Sequence, residues 1–332
     1  MKPVSIGDMA QVLLLRRHTA ATSRELNDLT ADIARGTVAD PGRQLGGQLS
    51  PLAAVEGALS RAAAHISAAN HGATRSAAMQ AAIGRISDAA VTNATNLLRA
   101  AQSPEQSGLA TVARTARAAF EDAVAALNTR VADQSLFSGL ASDRSPLPDA
   151  NSLLAAAKAL VGPSALPADA AAAIDAWLID PNGFQAQVYR GTTDFSPIPL
   201  GPGEAAFLDV TAADPGLRAT LKGLLLGALM SDPDYASTSN QIALARLAGE
   251  SLISSASDRT ALSARIGLFE ARMSAAQSRH AAEQLVLQQS RSDLIAVDGY
   301  EAATRLQSTE ARLEMIYTLT GRLSRLSLTD YL

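Results

Sequence analysis

The amino-acid sequence predicts a mainly α protein: a long, coiled-coil-like helical bundle built from N- and C-terminal helices, with a small mixed middle region containing a short β-hairpin. Three observations carry that expectation. Ten of the fourteen prolines lie between Pro146 and Pro233, and none follows. A proline inside a helix costs about 3 kcal/mol, so the chain reads as long helices, a broken middle, and long helices again. Hydrophobic residues make up 47% but aromatic residues only 4%, the apolar content being mostly Ala and Leu; small side chains in quantity suit packed helices better than a β-sandwich. Both ends also carry apolar residues at alternating steps of three and four, the seam pattern of paired helices.

The first stripe runs Val12, Leu15, Thr19, Thr22, Leu26, Leu29, Ile33. A second takes Leu52, Val55, Leu59, Ala62, Ile66 and Ala69, and a third Leu109, Val112, Ala116, Phe120, Val124, Leu127 and Val131. Asp40-Pro41, Ser50-Pro51 and Ser103-Pro104 each place a capping side chain before a proline suited to the first helical position. Gln106 completes a capping-box pattern with Ser103. In the middle region, short helices are expected at 151–160, 168–179 and 214–230. The stretch 184–210 reads as short strands at Gln187-Val188-Tyr189 and at 206–210, with Gly201-Pro202-Gly203 as a turn. Toward the C-terminus, Leu262, Ile266, Phe269, Met273, Ala276 and His280 form one stripe, and Leu306, Thr309, Leu313, Ile316, Thr320 and Leu323 the last. Three regions follow: 1–45 with 298–332 as a terminal helical pair, 46–140 with 235–297 as a long-helix bundle, and 141–234 as the mixed middle.

Composition narrows the function. The net charge is −4 and no Lys/Arg face of nucleic-acid-binding density occurs. There is no cysteine, which excludes disulfides and thiolate metal sites. The longest apolar run, 221–230, is broken by Lys222 and is far shorter than the roughly 20 residues of a membrane span. Val12 to Leu15 is too short for the core of a cleaved signal, and no apolar stretch follows Arg16-Arg17. Export, if it occurs, is expected by a route without a cleaved signal.

No chemistry-bearing constellation stands out. His18, His65, His71 and His280 are scattered, with no pair at metal-ligand spacing on one helix, and His280 falls on an apolar stripe as a seam residue. No phosphate loop or nucleophile elbow is present. Asp232-Pro233-Asp234 reads as a cap, Gly223 and Gly227 as a close helix contact, and Trp177 as a core residue. Arg265, Arg272 and Arg279 repeat every seven residues beside a seam, as a solvated flank or as partners in ion pairs between helices or subunits. The expectation is no enzyme, no cofactor and no metal.

The outermost seams are weak, because two of seven positions in the first stripe and two of six in the last are threonine. Threonine is a poor helix former and adds little apolar area. The ends are therefore expected to order only when packed on each other and on neighbouring subunits, burial at about 25 cal/mol per Å² then offsetting about 1–2 kcal/mol of ordering entropy per residue.

Several segments resemble flagellin-family proteins. The C-terminal run Glu301-Ala302-Ala303-Thr304-Arg305-Leu306-Gln307, continuing through Leu313, Tyr317, Thr320 and Leu323 to Leu326 and Tyr331-Leu332, resembles that family's C-terminal helix. Residues 29–41 resemble its N-terminal helix with the Gly- and Asp-Pro-containing turn that follows, although the turn after Ile33 is shorter than the usual version. Leu136-Phe137-Ser138-Gly139, and Tyr189-Arg190-Gly191 with Asp209-Val210-Thr211, resemble segments of the family's member at the hook–filament junction. The resemblance covers about 140 residues at the N-terminus and about 95 at the C-terminus. It implies a structural adaptor at that junction, or alternatively flagellin itself, the filament subunit. It further implies paired terminal helices in a tube, uncleaved type III export, and location in the flagellum. The implied partners are copies of itself, other flagellar axial proteins (a hook-associated protein and flagellin), and a cytosolic chaperone at the C-terminal helix; neither nucleic acid nor membrane is implied. The assembly interface is expected at Val12, Leu15, Leu26, Leu29, Ile33, Leu306, Leu313, Ile316, Leu323 and Leu326.

Overall fold

The computed structural model describes the backbone of residues 6–102, 106–162 and 165–329, and the side chains of 10, 13–102, 108–162 and 165–322. The fold is 75% helical with two small antiparallel two-stranded sheets, the mainly α architecture expected from proline placement and apolar spacing. The helices are α1 (Ile6–Arg35), α2 (Pro41–Gln44), α3 (Ser50–Gln102), α4 (Gln106–Leu127), α5 (Ala150–Val161), α6 (Pro167–Ile179), α7 (Phe184–Gln187), α8 (Pro215–Leu229), α9 (Thr238–Ser254), α10 (Ala256–Ile295) and α11 (Gly299–Thr329). Strands β1 (Arg130–Val131) and β2 (Gln134–Ser135) form one hairpin, and β3 (Ile198–Gly201) and β4 (Glu204–Ala206) the other. Among the described residues no helix is long and apolar enough to cross a membrane.

The chain forms two compact units, one of residues 1–63 and 282–332, the other of 64–281. In the first, α1 packs antiparallel along α11. A short backbone bridge joins the two connections: Val38 N–H donates to Ile295 O at 3.0 Å, and Val297 N–H to Gly36 O at 3.2 Å. Asp298 starts α11 by accepting from the N–H groups of Tyr300 and Glu301. Asp40 caps α2 ahead of Pro41, as its sequence predicts.

The second unit is built around α8. Its Leu217, Leu221, Leu224, Leu225, Leu226 and Leu229 are all buried, as befits a helix that is apolar nearly all round. A Cβ at Gly223 would stand 2.7 Å from the Leu252 side chain and one at Gly227 3.1 Å from Ala116 Cβ. Only glycine there lets α8 approach α9 and α4 so closely. The one lysine of α8, Lys222, reaches Asp175 at 2.6 Å. Trp177 is buried on α6, edge-on to Phe184 with centroids 5.5 Å apart and its Nε1–H on Gln187 Oε1. The stripe Leu262, Ile266, Phe269, Met273, Ala276 and His280 is buried throughout.

The chain departs from expectation in three places. Gln187-Val188-Tyr189 is not a strand: Phe184–Gln187 forms one helical turn, entered from Gly183 and anchored by the buried Phe184 ring. In 206–210 only Ala206 belongs to a strand, because β4 has exhausted its partner at Ile198. The β1–β2 hairpin lies where the third stripe was read through to Val131; α4 stops at Leu127. Its two-residue turn, Ala132-Asp133, has φ of 48° and 60°, without the Asn-Gly pair that marks such turns in a sequence. The Ser103–Gln106 capping pattern falls at 103–105, outside the described residues.

Candidate functional site

The α1–α11 pair presents an unusual cross-section. Among the described residues of α1 and α11, those buried are Thr22 at 6% exposure, Ala302, and Thr309 at 3%. Small side chains therefore sit where these helices are most enclosed. The longer apolar residues of the expected interface flank them: Leu15, Leu26, Leu29, Leu306, Leu313 and Ile316 are half-buried, and Ile33 is exposed. The side chains of Val12, Leu323 and Leu326 lie outside the described residues.

A second apolar face was missed by the stripe reading. Leu13 is 57% and Met315 63% exposed, with Leu14, Tyr317 and Leu319 open as well. On α11, Ala311, Glu314, Met315, Thr318, Leu319 and Arg322 line an open groove along one side of the helix. The signal for it was in the sequence: Leu13-Leu14 adjoin Leu15, and Met315, Tyr317 and Leu319 interleave with Leu313, Ile316 and Thr320. Apolar side chains at consecutive positions point around the helix rather than along one seam, so α11 offers apolar surface on more than one side.

In the unit of 64–281, three segments singled out in the sequence converge on one another. Leu136, Phe137 and Ser138 are buried, and Gly139 takes a φ of +63°. A Cβ at Gly139 would fall well inside contact distance of Thr192 O, so glycine is demanded by both conformation and space. Tyr189 Oη donates to Thr192 O at 2.8 Å and lies 3.3 Å from Phe137 O. Burial pushes its phenol above the ordinary tyrosine pKa. Thr192 N–H donates to Ser138 O and Ala212 N–H to Phe137 O, both at 2.9 Å. Arg75 on α3 donates to Leu136 O at 3.2 Å, and burial lowers its pKa. Leu136–Gly139, Tyr189–Gly191 and Val210–Ala212 thus form one hydrogen-bonded knot beyond the end of α4.

Two of the three heptad-spaced arginines make ion pairs within this unit. Arg265 binds Asp214 at 2.7 Å and Asp209 at 3.2 Å, and Arg279 binds Glu204 at 2.7 Å; Arg272 is exposed. Asp232 accepts from Asp234 N–H as a cap and pairs with Lys158, whose pKa is raised chiefly by that hydrogen bond. Arg259 is buried, its Nη1 shared among Ser255 Oγ, Leu252 O and Thr220 Oγ1 where α9 gives way to α10, so it caps a helix end. Among the described residues no group of three or more His, Asp or Glu is placed to hold a metal ion.

Residues 252–332, which take in α10 and α11, match the family model of the bacterial flagellin C-terminal helical region. The matched part, less than half of the chain, is similar to that flagellin C-terminal helical region. The structure also resembles that of a protein described as a flagellar hook-associated protein from Vibrio parahaemolyticus, with a TM-score of 0.52 at 14% identity, over 73% of this chain and 95% of that one. At that identity the likeness is one of fold. No curated protein sequence matches the chain. The flagellin-family match includes the helix that carries both the threonine-centred contact and the open groove of Met315 and Leu319.

Proposed function

We propose that this chain is a non-enzymatic structural subunit of the bacterial flagellum, acting as the adaptor at the hook–filament junction. The observation that carries the reading is the flagellin C-terminal region at 252–332, within which α11 pairs with α1 while leaving its larger apolar side chains open. Exposed apolar faces on a terminal helix pair are suited to burial by neighbouring copies in a tube. The fold likeness to a protein described as hook-associated supports the junction over the filament.

In this reading, the terminal pair (1–45 with 298–332) is the assembly element, the bundle (46–140 with 235–297) its support, and 141–234 the outward-facing part. The interface comprises Val12, Leu15, Leu26, Leu29, Ile33, Leu306, Leu313, Ile316, Leu323 and Leu326, with Leu13, Leu14, Met315 and Leu319 added. Partners are copies of itself, a second hook-associated protein and flagellin. Export is by the type III apparatus, with a cytosolic chaperone on the C-terminal helix. The ends gain full order only on assembly, so limited proteolysis of the monomer removes residues before 40 and after 300 first; cleavage elsewhere with both ends intact contradicts coupled folding.

Gene deletion followed by electron microscopy tests the assignment. The junction role predicts hooks without filaments and flagellin lost to the medium. Filament subunit is the second reading, favoured by the same C-terminal match. Self-polymerisation separates the two: the purified chain forming long filaments unaided identifies a flagellin and removes the adaptor role.

A further inference from the structure

Two surfaces of the unit of 64–281 are left unfinished by the chain itself. The first lies on α10. Arg265, Arg272 and Arg279 stand at heptad spacing, hence on one side of that helix. The outer two hold one continuous stretch of chain: Arg279 donates to Leu200 O at 3.2 Å and pairs with Glu204, and Arg265 donates to Asp209 O at 2.6 Å and pairs with Asp214. Arg272, midway between them, is exposed and makes no hydrogen bond or ion pair among the described residues. Ile198, the partner of Ala206 in the hairpin, lies with Met273 against Gly72 of α3. Phe207 therefore falls between the levels of Met273 and Arg265, the stretch of α10 that carries Leu268 and Arg272. Both Phe207 and Leu268 are more than half exposed.

The second surface lies further along α3. The contacts His65–His280, Asn70–Gln277, Gly72–Met273 and Leu98–Gly249 advance along α3 as they retreat through α10 and α9, so the two courses run antiparallel. Val91 on α3 and Ile253, one turn beyond Gly249, thus open at the same level, and both are more than half exposed. Asp88, one turn before Val91, is exposed and has no partner among the described residues; Arg85, one turn before that, does not pair with it.

We infer that the Arg272 face of one copy docks on the Asp88 face of a second copy, the two lying parallel and staggered along the bundle. Charge complementarity selects the partner, an unpaired cation beside apolar side chains meeting an unpaired carboxylate beside apolar side chains. Direction selects the arrangement. Followed in the direction of α3, one face presents Arg272 and then Leu268, and the other Asp88 and then Val91. In parallel copies the ion pair and the apolar contact form together; in antiparallel copies Leu268 would be turned toward Arg85. Asp88 lies about 24 Å along α3 from Gly72, the level of Met273, which sets the stagger. Two different faces of one chain make a heterologous contact, which repeats from copy to copy as a ring or an open helix. The contact deepens the structural-subunit reading and rests on it: the terminal helices supply one assembly surface, and 64–281 supplies a second.

The chain has no cysteine, so introduced ones report the contact directly. Full-length Arg272→Cys and Asp88→Cys chains with different tags are co-expressed in a deletion strain, and the isolated flagella are oxidised. A disulfide needs Cα atoms within about 7 Å, so mixed-tag dimers should exceed same-tag dimers about tenfold. Arg272→Glu should lower incorporation about tenfold through like-charge contact with Asp88, and Arg272→Glu with Asp88→Arg should restore it. Same-tag dimers in excess, no dimers from incorporated chains, or a double reversal no better than Arg272→Glu overturns the contact. Unsubstituted chain that never enters flagella sinks the flagellar reading instead. The two tagged chains, purified, mixed at high concentration and oxidised, then decide the contact by themselves: mixed-tag dimers uphold it and their absence overturns it.

Discussion

In the unit of 64–281 the side chains at the centre of the helix contacts are large: Phe120, Phe137, Phe184, Leu97 and Ile174 are fully buried among leucines. In the α1–α11 pair the corresponding positions are Thr22, Ala302 and Thr309, and the leucines stand at the flanks or face outward. The same 3/4 spacing underlies both. What differs is how much apolar area each pairing withdraws from water, and therefore how much of its order comes from within the chain. Phe137 gains its stability from groups of its own unit. A leucine of α11 gains its full burial only from something else laid against it.

The largest effect tests the first half of that contrast. Phe137→Ala should cost about 3–5 kcal/mol, through lost transfer energy and the cavity left by a fully buried ring. Its readout is a lowered denaturant midpoint with an unchanged slope. A cost below about 1 kcal/mol would mean that the knot at 136–139 is not a packed core, and the contrast between the two regions would dissolve.

Tyr189→Phe comes next. It keeps the ring and removes the hydroxyl that binds Thr192 O, with an expected loss of about 1–2 kcal/mol. The same residue gives a pH signature. Burial raises its phenol pKa, so the folded state prefers the neutral form. The associated stability is fully present below the ordinary tyrosine value of about 10 and is lost as pH rises past it. Alkaline titration of stability should therefore be shallower in Tyr189→Phe, with Tyr235, whose phenol burial also raises, and Lys158, raised by its hydrogen bond to Asp232, contributing to the loss that remains.

A smaller gain is expected at the β1–β2 turn. Ala132 holds a φ of 48° that an L side chain rarely adopts. Ala132→Gly removes that strain and should raise stability by about 1 kcal/mol less the added freedom of the unfolded chain, so a net of a few tenths is the outcome to measure by thermal unfolding. A clear loss would show that the Ala132 methyl contributes packing that outweighs the strain.

These substitutions also mark what could be read without coordinates. Helix positions were legible because their signals are local: Asp40-Pro41 and the stripe Leu262 to His280 act within a turn or two of themselves. The β1–β2 hairpin was not, because Ala132-Asp133 lacks the residues that usually announce such a turn, and because Leu136 and Phe137 hold it from the core side. Gln187-Val188-Tyr189 has strand composition, yet Phe184 and Trp177 decide its path from a distance. The individual segments 136–139, 189–191 and 209–211 could be picked out, but their meeting could not, since it rests on hydrogen bonds spanning 52 residues or more in sequence, as between Tyr189 and Phe137. On the terminal helices one apolar stripe was plain; the second face escaped because a seam reading assigns a helix one partner, and α11 has surface for more.

The smallest effect in the monomer falls on that helix and bears most on function. Leu313→Ala removes a side chain that is only half covered, so the isolated chain should lose less than about 1 kcal/mol, well short of the 2–5 kcal/mol of a fully buried leucine. In an assembled tube the same side chain would be enclosed by a neighbour and carry its full burial energy, repeated at every copy. The variant should therefore unfold almost like the parent by calorimetry while failing to join the flagellum when expressed in a deletion strain. Thr309→Ser sharpens the point from the other side. It trims a methyl at the most enclosed position of α11, and should loosen the α1–α11 pairing itself without altering the outer groove. If Leu313→Ala destabilised the monomer as strongly as Phe137→Ala, the terminal pair would be an ordinary core. If it assembled normally, the half-covered leucines would be surface without a partner. Only a variant that is quiet alone and defective in company fits helices whose packing is completed by another chain.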